Sequence, residues 1–165
     1  MKKSLKIATV LSWFNLIVWG LISLLFALFA IMSGNLSVLI ITFLNGVIVL
    51  HSYAALQLQK SIRNPSIPLS SQTPVGIRFI GFIALFFGVL YLADGIAMLQ
   101  NSQEIIKLLE PQLPPEAKKL NLSAIMRAGA IFSLLTGLSV AINVSLNFRL
   151  LRWYLFSQQQ PRRDP

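Results

Sequence analysis

The chain has 165 residues, of which 55% are apolar and only 12% charged, and it carries a formal net charge of +9. Soluble domains carry about a quarter charged residues, so this chain has too little charge to cover a water-facing surface, and its mean hydropathy of +0.71 excludes disorder. Cysteine is absent and histidine occurs once, which excludes disulfides, thiolate chemistry and multi-histidine metal or haem sites.

Charge placement divides the chain into spans. From Ile7 to Gln59 there is no Lys, Arg, Asp or Glu. A bilayer core of about 30 Å needs about 20 apolar helical residues, so this window holds two spans, broken only by Met32-Ser33-Gly34-Asn35. Helices are expected near 6–32 and 36–60. The first begins with Lys2, Lys3 and Lys6, as a signal peptide would, but its apolar run is too long and no small-x-small cleavage site follows. It is expected to remain as a span. A polar, proline-punctuated linker covers 61–74. A third helix is expected near 75–100, where Asp94 is the one charge between Phe79 and Gln103. The loop 101–121 should carry a short amphipathic helix through Ile105, Ile106, Leu108 and Leu109, capped by Asn101 with Glu104 and ended by Pro111. A second short helix is expected from Pro115, Glu116 and Ala117. The fourth span is expected near 122–156, with no charge from Ala128 to Phe148. The runs lack the alternation of a β-barrel. The expectation is an all-α integral membrane four-helix bundle of two helical hairpins, forming a single domain over 1–165.

Basic residues orient the bundle. Lys2, Lys3, Lys6, Lys60, Arg63, Arg78, Arg149, Arg152, Arg162 and Arg163 fall on one side. Lys107, Lys118, Lys119 and Arg127 fall on the other, offset by Glu104, Glu110 and Glu116. Both termini are therefore expected in the cytoplasm, with Trp153 and Tyr154 as an interfacial anchor. The positive charge is explained by this rule and by anionic lipid headgroups, so nucleic acid is not an expected partner. The short loops and the lack of an organelle-type targeting sequence fit a bacterial inner membrane.

A weak internal repeat is also visible. An offset of 91 residues aligns Ile40, Leu44, Gly46 and Val49 with Ile131, Leu135, Gly137 and Val140, and an offset of 68 aligns Phe14, Gly20 and Leu24 with Phe82, Gly88 and Leu92. Apolar helices draw on few residue types, so coincidence competes with duplication.

Each span has one small or polar stripe at helical spacing. These are Ser12, Asn15, Trp19 and Ser23; Thr42, Asn45, Ser52 and Gln59; Gly81, Ala84, Gly88 and Gly95; and Gly129, Ser133, Thr136, Val140, Asn143 and Asn147. Small residues let membrane helices approach closely, and polar ones bond across them, so the stripes should face inward. An intramembrane acid is costly and invites a functional reading, which makes Asp94 the first candidate. Tyr91 is a possible hydrogen-bond partner and Arg127 a possible ion-pair partner. Asn45, Asn143 and Asn147 complete the candidate polar site. His51 ranks lower, as a hydrogen-bonded packing residue.

No catalytic triad, phosphate-binding loop, zinc motif or carboxylate pair is present, and no cofactor or metal site is expected. The reading is a small accessory or structural membrane protein rather than an enzyme, held in the lipid bilayer with a homo-oligomer or a larger membrane protein as partner. The alternative is a small transporter or channel subunit using Asp94.

Overall fold

A computed structural model describes residues 2–115 and 119–159. Among these the chain is all-α. Its helices are α1 (Lys2–Ser33), α2 (Leu36–Arg63), α3 (Thr73–Gln100), α4 (Ser102–Leu109) and α5 (Leu122–Gln159), with a 3-10 turn at Glu110–Gln112. Four of them, α1, α2, α3 and α5, are long and apolar enough to cross a membrane. The four spans lie where the charge-free windows put them. Their ends run further, because the flanking basic and polar residues continue the helices: α1 starts at Lys2, α3 at Thr73 and α5 ends at Gln159.

The breaks have local causes. Gly34 takes a left-handed conformation (φ 63°), which glycine adopts without the Cβ clash that closes it to other residues. Asn35 then caps α2, its Oδ1 accepting from Ser37 N at 2.9 Å and Val38 N at 3.4 Å. Helix α2 ends at Asn64 before Pro65, with Lys60 and Arg63 in its last turn, where cations meet the negative end of the helix dipole. Pro74 sits in the first turn of α3, where a missing N–H costs nothing. Asn121 Oδ1 accepts from Ala124 N at 3.0 Å at the start of α5.

One expectation fails locally. Asn101 makes no side-chain capping bond to α4. Its backbone N–H closes the last turn of α3 by donating to Ala97 O at 2.9 Å and its carbonyl opens α4 by accepting from Ile105 N at 3.0 Å, but at φ −112° and ψ 21° it lacks the extended conformation from which a cap side chain reaches the next turn. Helix α4 itself is present, and none of its residues is buried. The expected second short helix, at Glu116 and Ala117, lies outside the described residues, as do Lys118, Arg162, Arg163 and Asp164.

The chain forms two compact units, residues 1–85 with 140–165, and residues 86–139. In the first, α1, α2, the start of α3 and the end of α5 make a four-helix bundle. Its apolar centre is Ala8, Leu58, Ile77, Leu150 and Leu151, one or two residues from each helix. The second contains the end of α3, α4 and the start of α5.

Burial runs opposite to that of a soluble protein. Val10, Ile17, Leu25, Phe43, Phe79 and Phe86 are exposed, while Ser12, Asn15, Ser52, Asn143 and Asn147 are buried. The most apolar window of α1, with a hydropathy of 2.5, is only 11% buried within the protein. An apolar exterior of this extent is stable in lipid and not in water. The protein is an integral membrane protein.

Candidate functional site

The inward stripes meet in the first unit as a ring of hydrogen bonds. On α1, Ser12 lies one helical turn deeper than Ala8 of the apolar centre. Its Oγ donates to Asn143 Oδ1 on α5 at 2.9 Å. Gln59 of α2 reaches in from the other side, and its Nε2 donates to Ser12 Oγ at 3.0 Å and to Asn147 Oδ1 at 2.8 Å. Asn147 closes the ring, its Nδ2 donating to Asn143 O at 2.8 Å and to Asn143 Oδ1 at 2.9 Å. All four side chains are at most 1% exposed. The i, i+4 spacing of Asn143 and Asn147 stacks them on one face of α5, so three helices are tied through one level.

On the side of the α1 N-terminus and α2 C-terminus, the apolar layer of Ala8, Leu58, Ile77, Leu150 and Leu151 packs to 2% exposure or less. Gln59 Oε1 is the one ring atom left buried without a partner. Asn45 is buried on the same stripe of α2 as Gln59 and has its own partner. Asn15 and Trp19 of α1 are likewise buried and partnered.

His51 sits apart from the ring. It is 1% exposed, and its ring packs edge-on to Phe148 with centroids 6.4 Å apart. Gly81 of α3 makes room for both: a Cβ there would lie 2.6 Å from Phe148 Cε1 and 3.0 Å from His51 Cε1. The expected hydrogen bonds of His51 are missing, since neither ring nitrogen has a partner. Phe148 and Gly81, which it packs against, offer its ring no side-chain donor or acceptor.

In the second unit α3 and α5 pack backbone to backbone. A Cβ on Gly137 would meet Gly88 O at 2.8 Å and Leu92 N at 2.9 Å, and one on Gly95 would meet Ala130 O at 2.9 Å. Ser133 Oγ donates to Tyr91 O at 2.8 Å. Tyr91 is half-buried, its side of α3 facing this seam. Asp94 does not join it. Six residues beyond Gly88, at 100° each, it is turned about 120° from the line of Gly88 and Gly95, and it is exposed. Arg127 is also exposed. No ion pair joins the two, nor any other pair among the described residues.

Of the six first-ranked candidates, the structure brings Asn143 and Asn147 together and buries Asn45 in the same unit. Asp94, Tyr91 and Arg127 belong to the other unit. Ser12 and Gln59, which complete the ring, were legible only as members of stripes. Among the described residues no group of acidic or histidine side chains could hold a metal ion. Neither a family model, nor a curated protein, nor a solved structure matches the chain.

Proposed function

We propose that this protein is an accessory or structural subunit of a bacterial inner membrane, with both termini in the cytoplasm, that works by binding a larger membrane protein or further copies of itself. The observation that carries this reading is the closed ring of Ser12, Gln59, Asn143 and Asn147. Polar side chains bonded to one another, beneath a packed apolar layer, serve helix packing. The exposed groups fit a binding role. Asp94 stands exposed within an apolar span, and no ion pair joins it to another described residue. Such a carboxylate is costly until a partner or a proton compensates it. The basic ends of α1, α2 and α5 support the orientation.

Purification in mild detergent with native size analysis tests the reading. The expected particle contains a second protein, or more than one 18.4 kDa chain, and survives Asp94→Asn. A lone chain that carries protons or ions across liposomes, and stops doing so with Asp94→Asn, would refute it in favour of a small transporter or channel subunit. A C-terminal reporter fusion tests orientation: activity restricted to the cytoplasmic side is expected.

A further inference from the structure

The basic end of the first unit carries cations that make no ion pair among the described residues. No acidic residue occurs from residue 1 to 93 or from 117 to 163. Lys60 and Arg63, in the last turn of α2, line a groove of about 490 Å³ between α1 and α2. The groove is built in levels. At its mouth, Arg63 Nη2 donates to Thr9 Oγ1 at 2.6 Å, and Thr9 Oγ1 in turn donates to Leu5 O at 2.8 Å. The guanidinium is thereby fixed beside Lys60 with its remaining donors uncommitted. One to three turns further along the spans, the walls are Trp13, Leu16, Tyr53 and Leu56. From Arg63 back to Tyr53 the helix rises about 15 Å, the depth of a phospholipid's phosphate, glycerol and upper acyl carbons.

We propose that this groove is a binding site for one anionic phospholipid, its phosphodiester held by Lys60 and Arg63 and its glycerol and upper acyl chains laid along Trp13, Leu16, Tyr53 and Leu56. Charge complementarity selects the anion, because neither cation is ion-paired to a described residue and together they bring +2 to the level of the headgroups. Arginine presents a planar fork that matches phosphate oxygens. The aromatic pair selects an amphiphile over a free anion, since Trp and Tyr place an apolar body and a polar tip at the headgroup level. Gln59 also lines the groove, with its Oε1 buried and without a partner. The site rests on the chain being a membrane protein and is independent of whether it serves a larger partner.

Native mass spectrometry of the full chain tests this, with protein exchanged into nanodiscs of phosphatidylcholine containing graded phosphatidylglycerol. The wild type should release from the disc with one phosphatidylglycerol retained per chain, in preference to phosphatidylcholine. The double variant K60A/R63A should need at least tenfold more phosphatidylglycerol for the same occupancy. The variant K2A/K3A removes equal charge from the same end outside the groove and should keep the wild-type occupancy. Trp13→Ala should shorten retention without altering charge. Inorganic phosphate at millimolar concentration should not displace the lipid. Equal losses in K60A/R63A and K2A/K3A would overturn the proposal, as would displacement by inorganic phosphate or equal retention of the two lipids. Unfolding of each variant in pure phosphatidylcholine, where the site is empty, separates lost binding from lost fold.

Discussion

Replacing Gly137 by alanine puts one methyl group where α3 and α5 have no room for it. The added Cβ would lie 2.8 Å from Gly88 O and 2.9 Å from Leu92 N, against the 3.4 Å at which such contacts become ordinary. Both obstacles are backbone, so no side chain can swing aside, and the helices must separate by about 0.6 Å at this level. Overpacking of this kind costs about 1–3 kcal/mol, to which the close-packed neighbours Gly95, Ala130 and Leu134 add as their own contacts loosen. Alanine gains about 1 kcal/mol over glycine in helix propensity, so the expected net loss is about 1–2 kcal/mol. Gly46→Ala is the matched comparison, since a Cβ there meets nothing within 4 Å and only the propensity gain remains. Equilibrium unfolding in mixed micelles, followed by circular dichroism, measures both. Gly137→Ala should be destabilised and Gly46→Ala equal to or slightly above wild type. Equal stability of the two variants would refute the backbone-to-backbone seam.

Three further substitutions probe the first unit. Gln59→Leu strips two donors from the ring and leaves Ser12 Oγ and Asn147 Oδ1 with a lost bond each; a loss of about 1–2 kcal/mol is expected, and a double-mutant cycle with Asn147→Leu should show coupling of about 0.6–1.7 kcal/mol, whereas simple additivity would break the ring. Gly34→Ala meets no atom within 4 Å but must hold φ near 63°, so unfolding should show a loss of about 1–2 kcal/mol, with Gly34→Asn less affected. His51→Leu removes two buried ring nitrogens that bond to nothing; thermal unfolding should match or exceed wild type, and a marked loss would mean that the ring has a polar partner.

Much of the architecture was legible because lipid makes two demands that a sequence must display. Long charge-free windows gave the spans, and Gly34-Asn35 gave the turn between α1 and α2 with its cap. The inward stripes were legible from the same rule turned over: Ser12, Asn15, Asn45, Ser52, Gln59, Gly81, Ala84, Thr136, Asn143 and Asn147 are all buried. Helical angle names a face but not a partner. It placed Asn147 on the inner side of α5, yet that Gln59 rather than Asn45 bonds to it depends on axial offset between α2 and α5, which no local pattern encodes. Depth alone likewise paired Asp94 with Arg127, although angle turns Asp94 off its glycine line. The absent cap at Asn101 has a similar origin, because that residue joins two helices directly and its backbone is not in the extended conformation that a capping side chain needs.

The polar groups of this chain therefore divide by whether the chain satisfies them itself. The ring of Ser12, Gln59, Asn143 and Asn147 is almost fully bonded internally and offers nothing to a ligand beyond one carbonyl oxygen of Gln59; its effect is to fix the registry of three helices. Lys60, Arg63 and Asp94 are the converse case. They are exposed and make no ion pair with a described residue, and Asp94 sits on an apolar span, where an uncompensated charge is expensive. Free energy gained by the protein from its surroundings is concentrated at such groups, since only there does an external partner replace a cost rather than displace an existing bond. For the cations at the mouth of the α1–α2 groove the compensating partner we propose is an anionic headgroup; for Asp94, exposed on an apolar helix face, a proton or a partner's cation would play that part.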